Sequence, residues 1–410
     1  MSTVAAQHGS KIRQLAPSEE MFVGFGEYIG LSLRTVGTLD TDTLADAFDA
    51  LLDSHPVLTA CLSWDGHGHN LVAPAPGPRL AASVRDGRLD EPLAGADPDP
   101  ENALAGLYVV RDGRRAVVTL LVHHCIADAL SASAMLAQMW SYYTDLTENR
   151  TFMVVPHEFP ASAEELLSGR PPERRTGSAP RAPEPVAAGS VPNILSLRLT
   201  AAETEHLVEI AKRELVTVNS LVTAAIVRAE ADCLGLSPDG IRFHYPMNMR
   251  AVTRPPTPVT AGTAVLGIGR FRPPAGVTDQ VDIARAFADN LRAELVDGTV
   301  RDSALRLPEA FGAISGHGPG AVLTTNWQTI VPPPVPDGLE FEDFHATIYH
   351  RPRRPGTVGL AETPGTTLYF VNIFQGRLRV QISAPQSVAV EPRQRRLTAL
   401  RSYLAGVGVA

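Results

Sequence analysis

Cysteine is scarce, basic charge does not predominate and no long apolar run occurs. Only Cys61, Cys125 and Cys233 are present, an odd set with no CxxC pair. That argues against a disulfide framework and suits a reducing cytoplasm, the expected location. No stretch approaches the roughly 18 consecutive apolar residues of a spanning helix. Met1 to Ala16 has no apolar run before a cleavage site, so no secretory signal is expected. A formal net charge of −8 leaves no broad basic surface for a phosphate backbone, which makes nucleic acid an improbable partner. HExxH, GxGxxG and P-loop patterns are also missing, so neither a resident metal nor a bound nucleotide is expected.

What is present fits a soluble globular chain: 410 residues, 44% hydrophobic and 20% charged, enough for two domains of ordinary size. Leu39 to Leu52 reads as a capped helix with Leu44, Phe48, Leu51 and Leu52 on one face, ended by His55-Pro56. Short strands are expected at Tyr28 to Thr35, Leu58 to Trp64, Asn70 to Ala73 and Leu104 to Arg111. Residues 156–192 change to Pro, Ala, Glu, Arg and Gly, a linker composition with one helical island at Ala163 to Leu167. Beyond it, strands (Asn193 to Thr200, Ile241 to Pro246, Thr263 to Phe271, Ala321 to Asn326) mix again with helices (Leu221 to Leu234, Val281 to Leu295). A hairpin turning at Gln375-Gly376 and a helix over Arg393 to Leu400 follow. The expectation is an α/β chain of two similar mixed-sheet sandwiches, residues 1–155 and 193–410, with a ligand cleft between them.

One cluster carries chemistry. His123-His124-Cys125-Ile126-Ala127-Asp128 follows the apolar run Ala116 to Val122 and precedes an Ala-rich helical stretch. Imidazole exchanges a proton near neutral pH, and a strand end holds it more firmly than a loop does. Adjacent strand residues point to opposite sides, so one histidine should be supportive and the other presented. Asp128 suits either of two tasks, orienting an imidazole or capping the following helix. Cys125 reads as a buried apolar thiol, because adjacency in sequence does not make thiol and imidazole face one another.

This cluster resembles the HHxxxDG motif of the condensation-domain and CoA-dependent acyltransferase superfamily. The whole layout is most similar to the polyketide-associated acyltransferases that esterify lipid diols in mycobacteria. Lys11 to Glu20, the helix ending His-Pro-Val at Val57, and the strand ending Tyr245-Pro246-Met247-Asn248-Met249-Arg250 extend the match nearly end to end. The resemblance implies two acyltransferase-type domains with an active-site tunnel between them. It implies His124 as general base, in a catalytic group with His123 and Asp128, and a structural pair between Asp128 and Arg250. It also implies an acyl donor on CoA or on the phosphopantetheine of an acyl-carrier protein, an alcohol acceptor such as a lipid or polyketide, and no permanent cofactor. A carrier protein or polyketide synthase is then the expected partner of a monomeric enzyme. Thr324, Thr325 and Asn326, at a second-half strand end, are candidates for oxyanion or substrate contact, although polar strand ends are common. Ala129 replaces the motif glycine and Asn248 replaces an acid often seen there. The alternatives are an amide-forming enzyme, with an amine acceptor, or a carrier-binding module that has lost turnover.

Overall fold

The computed structural model describes residues 9–74, 79–172, 192–315, 318–351, 366–384 and 388–407. The first half builds β1 (Lys11–Gln14), α1 (Pro17–Phe25), β2 (Glu27–Gly37), α2 (Thr41–Ser54), β3 (Cys61–Trp64), β4 (His69–Val72), β5 (Ser83–Asp86), β6 (Ala105–Asp112), β7 (Arg115–His123), α3 (Ala129–Thr147) and α4 (Ala163–Ser168). The second adds β8 (Asn193–Arg198), α5 (Ala201–Arg213), α6 (Val218–Leu234), β9 (Arg242–Asn248), β10 (Leu266–Phe271), α7 (Gln280–Val296), α8 (Thr299–Leu305) and α9 (Leu307–Ser315). It closes with β11 (Ala321–Ile330), β12 (Leu339–His350), β13 (Thr366–Phe374), β14 (Arg377–Ala384) and α10 (Val390–Ala405).

These elements form two compact units. One comprises Met1–Val191, Arg250–Val265 and Pro332–Thr357; the other comprises Pro192–Met249, Leu266–Val331 and Val358–Ala410. The linear division at 156–192 therefore needs correction, because two later segments return to the first unit. Residues 173–191 of the expected linker lie outside the described residues.

In the first unit a five-stranded sheet runs β12-β2-β7-β6-β5, beside a three-stranded sheet β1-β4-β3. β7 is central, and Ala116 through Val122 are all buried. A strand covered on both faces has no reason to alternate, which explains its unbroken apolar sequence. β12 pairs antiparallel with β2, from Leu339 opposite Gly37 to His350 opposite Glu27, with a register shift between Phe341 and Asp343. That shift moves Phe344 out of phase with Leu339 and Phe341, so period-two reading misses this strand. In α2, Asp40 caps the helix by accepting from the Asp42 and Thr43 amides, and the helix packs on α3.

Gly26 sets the entry into β2. Its φ is +66°, and its amide closes α1 on the carbonyls of Phe22 and Val23. A Cβ there would stand 2.2 Å from the Arg351 carbonyl oxygen, so both conformation and space require glycine. The consequence is that α1 ends beside the end of β7.

The second unit holds a six-stranded sheet, β10-β9-β11-β13-β14-β8. β11 runs parallel to both β9 and β13, and the other pairs are antiparallel. Nearly every residue of α6 from Ser220 to Ala231 is buried, in a core shared with α5, α7, α10 and one face of the sheet. Each unit is thus a mixed sheet with flanking helices, as expected.

Candidate active site

β7 ends at His123, and the chain turns through Cys125 and Ala127 into α3. The histidines separate as strand geometry requires. His123 is fully buried; its amide donates to the Leu104 carbonyl at 2.7 Å, and its Nδ1 accepts from the Cys125 amide at 3.1 Å. Tyr28 meets the His123 ring edge-on at 4.6 Å. These contacts enclose His123 at the end of β7.

His124 is only partly buried. Its amide donates to the Glu27 carbonyl at 2.9 Å, and its ring lies flat against Phe22, centroids 3.9 Å apart and planes 3° from parallel. Nδ1 is buried without a hydrogen bond of proper geometry. Desolvation pulls the imidazole pKa down to about 4, against smaller opposing effects of its own backbone, the Asp128 charge and the Ala127 backbone. The ring is therefore neutral at pH 7.

Asp128 is the N-cap of α3. Its Oδ1 accepts from the amides of Leu130 at 3.1 Å and Ser131 at 3.0 Å, and its Oδ2 accepts from the Val265 amide at 3.1 Å and from Arg250 Nη1. Arg250 Nη2 donates to the Thr263 carbonyl. Both side chains of the pair are almost fully buried. Of the two tasks weighed for Asp128 the carboxylate performs capping, and it pairs with Arg250 as well, while the guanidinium also reaches the Thr263 carbonyl. This network fixes the turn that carries His124.

Ala129 is the first residue of α3, and it is absent from the residues with positive φ. Nothing in that conformation calls for glycine. Cys125 is fully buried, and burial pushes its thiol well above the ordinary range, which leaves it inert.

Thr324, Thr325 and Asn326 lie on β11 of the second unit. Asn326 is already engaged: its Nδ2 donates to Asn219 Oδ1 at 2.5 Å, and its Oδ1 accepts from the Gln328 amide at 2.7 Å. Asn219 and Asn326 border a cavity of about 170 Å³ together with Val218, Val222 and Val371. Phe22 and the Thr263 to Val265 segment were not foreseen as parts of the site. Phe22 lies two residues beyond the matched opening segment, and no local pattern pairs it with a residue 102 positions away.

The fold of both units is that of condensation domains. The first condensation domain of the calcium-dependent antibiotic synthetase superposes with TM-score 0.63 over 97% of each chain, at 16% identity. Polyketide synthase associated protein 5 from Mycobacterium tuberculosis superposes with TM-score 0.79 over 98% of each chain, at 27% identity. By sequence and fold the chain is related to acyl-group-transferring enzymes of the condensation-domain kind. The family profile described as phthiocerol/phthiodiolone dimycocerosyl transferase C-terminus matches residues 188–383. The phthiocerol/phthiodiolone dimycocerosyl transferase of Mycobacterium sp. (strain JLS) is 32% identical over 369 residues, covering 83% of this chain and 87% of that protein. The chain belongs to the phthiocerol/phthiodiolone dimycocerosyl transferase family.

Proposed function

We propose that the protein is an O-acyltransferase that moves an acyl group from a thioester, on CoA or on the phosphopantetheine of an acyl-carrier protein, to a hydroxyl of a lipid, polyketide or other natural product. His124 is the general base. As the acceptor oxygen attacks the thioester carbon, the imidazole takes the hydroxyl proton. The C–S bond then breaks, and the proton passes to the departing thiolate. No acyl-enzyme forms, in keeping with a Cys125 thiol that burial holds protonated. Donor and acceptor reach the imidazole through the tunnel that the resemblance implies. Asp128 and Arg250 act as positioning residues, and His123 as support for the strand end.

The observation that carries this reading is the His124 imidazole itself: half-buried, neutral at pH 7, with one nitrogen enclosed and the ring orientation fixed by Phe22. Enclosure of Nδ1 leaves Nε2 to exchange the proton. The deciding experiment incubates acyl-CoA and acyl-carrier donors with alcohol and amine panels and reads intact products by mass. Ester formation that falls about 100- to 10,000-fold in His124→Ala, with the melting temperature kept, is the expected result. Near-normal ester synthesis by that variant would overturn the assignment of the base, and amide products alone would move the acceptor to amines.

A further inference from the structure

Helix α1 carries Phe22 onto His124, yet only half of its buried face is apolar. The residues it buries are Ser18 and Glu19 in the first turn and Phe22 and Val23 in the second. Residues four apart lie on one side of a helix, so Ser18 stands one turn before Phe22 on the same face. Ser162 caps α4, and Glu164 in the first turn of α4 reaches Ser18 from 146 positions away. Its Oε1 accepts from the Ser18 amide and its Oε2 from the Ser18 hydroxyl, both at 2.9 Å. Beside it, Glu19 accepts from Arg13 Nη1 and Nη2, both at 2.6 Å, and from the Ala16 amide at 2.8 Å. Arg13 Nε donates in turn to the Pro160 carbonyl at 3.0 Å. Glu164 and Glu19 are both buried.

A nine-residue helix does not hold itself in water. Apolar packing alone could dock it, because well-packed apolar side chains in place of buried charges are often as stable or more so. What hydrogen bonds add is direction. An apolar contact tolerates a helix that rolls by a fraction of a turn, whereas two bonds to one carboxylate fix both the roll and the height of the residue they hold. One turn further on is the ring that lies 3° from parallel to the imidazole at 3.9 Å, a contact that a small roll would open. The charges of Glu19 and Arg13 also reach the Cys125 thiol, so the same polar frame lies close to the turn that carries His124.

We propose that Glu164 is a positioning residue for His124: by holding Ser18 it sets the roll of α1 that keeps Phe22 flat on the imidazole, while the Arg13–Glu19 pair fixes the start of the helix. The proposal rests on the reading of His124 as the base. Two measurements test it, the titration of the His124 imidazole followed by NMR, which needs no turnover, and the steady-state kinetics of acyl transfer. Glu164→Leu keeps the bulk and removes both acceptors. It should raise the His124 midpoint by about one pH unit, toward the ordinary imidazole value of about 6.5. It should also lower kcat about tenfold while both KM values stay near wild type, because the change acts on the base and not on substrate binding. In Glu164→Gln the carbonyl can take the Ser18 amide and the NH2 can meet the Ser18 hydroxyl, so this variant should return the midpoint to its wild-type place and kcat to within about twofold. In a Phe22→Leu background, Glu164→Leu should add no further shift, since the ring it serves is gone. If Glu164→Leu gives no folded protein, Ser18→Ala, which loses one of the two bonds, carries the test with a smaller shift in the same direction. An imidazole that titrates as in wild type overturns the proposal, and a lower melting temperature alongside it would show that Glu164 is structural only. A shift that adds in full to that of Phe22→Leu overturns it as well. If the midpoint moves as expected but the wild type transfers no acyl group, the acyl-transfer reading fails while the positioning of the imidazole stands.

Discussion

Phe22 covers one side of the His124 imidazole at 3.9 Å between ring centroids, nearly parallel to it. An apolar ring in that position keeps water from the imidazole, and desolvation is the largest cause of the low His124 pKa. The wild-type acid limb of kcat/KM should accordingly lie near pH 4, with a flat profile from neutrality down to about pH 5. Phe22→Leu should let water in, move that limb upward toward the ordinary imidazole value of about 6.5, and slow turnover about tenfold. A pH–rate profile is the check. A limb that stays where it was would show that other groups exclude the water.

Asp128 and Arg250 are coupled more tightly than a surface pair. Removing the carboxylate with Asp128→Ala deletes a helix cap worth about 1 kcal/mol and leaves a buried guanidinium without its anion, a change that typically costs about 3–5 kcal/mol. Loss of soluble yield is the expected outcome. Asp128→Asn and Arg250→Gln are milder, and their double-mutant cycle, read by urea unfolding, should show a coupling of about 2 kcal/mol. Additive effects would mean that each residue acts through its other partners, Leu130 and Ser131 for the aspartate and Thr263 for the arginine.

Much of this arrangement is legible in the chain because it is local. The apolar run of β7, the His-His step at its end and the aspartate opening α3 occupy 13 consecutive residues, and each follows from periodicity or capping. The family resemblance added Arg250, which periodicity alone leaves as a surface residue. What stayed hidden depends on long returns. The partnership of β12 with β2 joins residues about 300 positions apart, and its alternation slips at Phe341 to Asp343. The Val265 amide on Asp128 and the Phe22 ring on His124 are tertiary contacts with no sequence signature of their own. Asn372 of β13 and Gln381 of β14 read as ordinary polar alternation until burial shows that they are enclosed.

Two imidazoles should make stability depend on pH. His124 is held at about 4, and desolvation lowers the pKa of His55 as well, helped by the neighbouring His157 and opposed by the hydrogen bond to Gln138. A folded-state pKa below the unfolded value means that the unfolded chain binds more protons in the interval between them. The stability these groups contribute is fully present above about pH 6.5 and is lost as pH falls toward their folded values. Glu164 and Glu294, raised chiefly by burial, pull the other way at lower pH. The readout is therefore a difference: between about pH 7.5 and 5.5, the urea midpoint of wild type should fall more than that of His55→Gln. Equal falls would place the titration elsewhere.

Ala129 stands where the superfamily motif has glycine, and the structure gives it the right-handed backbone of a first helical residue. Alanine favours that conformation over glycine by up to about 1 kcal/mol in a helix interior and by less at an end. Ala129→Gly should thus lower the melting temperature slightly and leave the rate of acyl transfer within about twofold, because no left-handed turn waits to be restored. Steady-state kinetics of that variant, with donor and acceptor varied separately, distinguish this from a methyl group that obstructs a substrate. Obstruction would appear as a severalfold drop in one KM when the methyl is removed, a result that would place the start of α3 against a bound substrate.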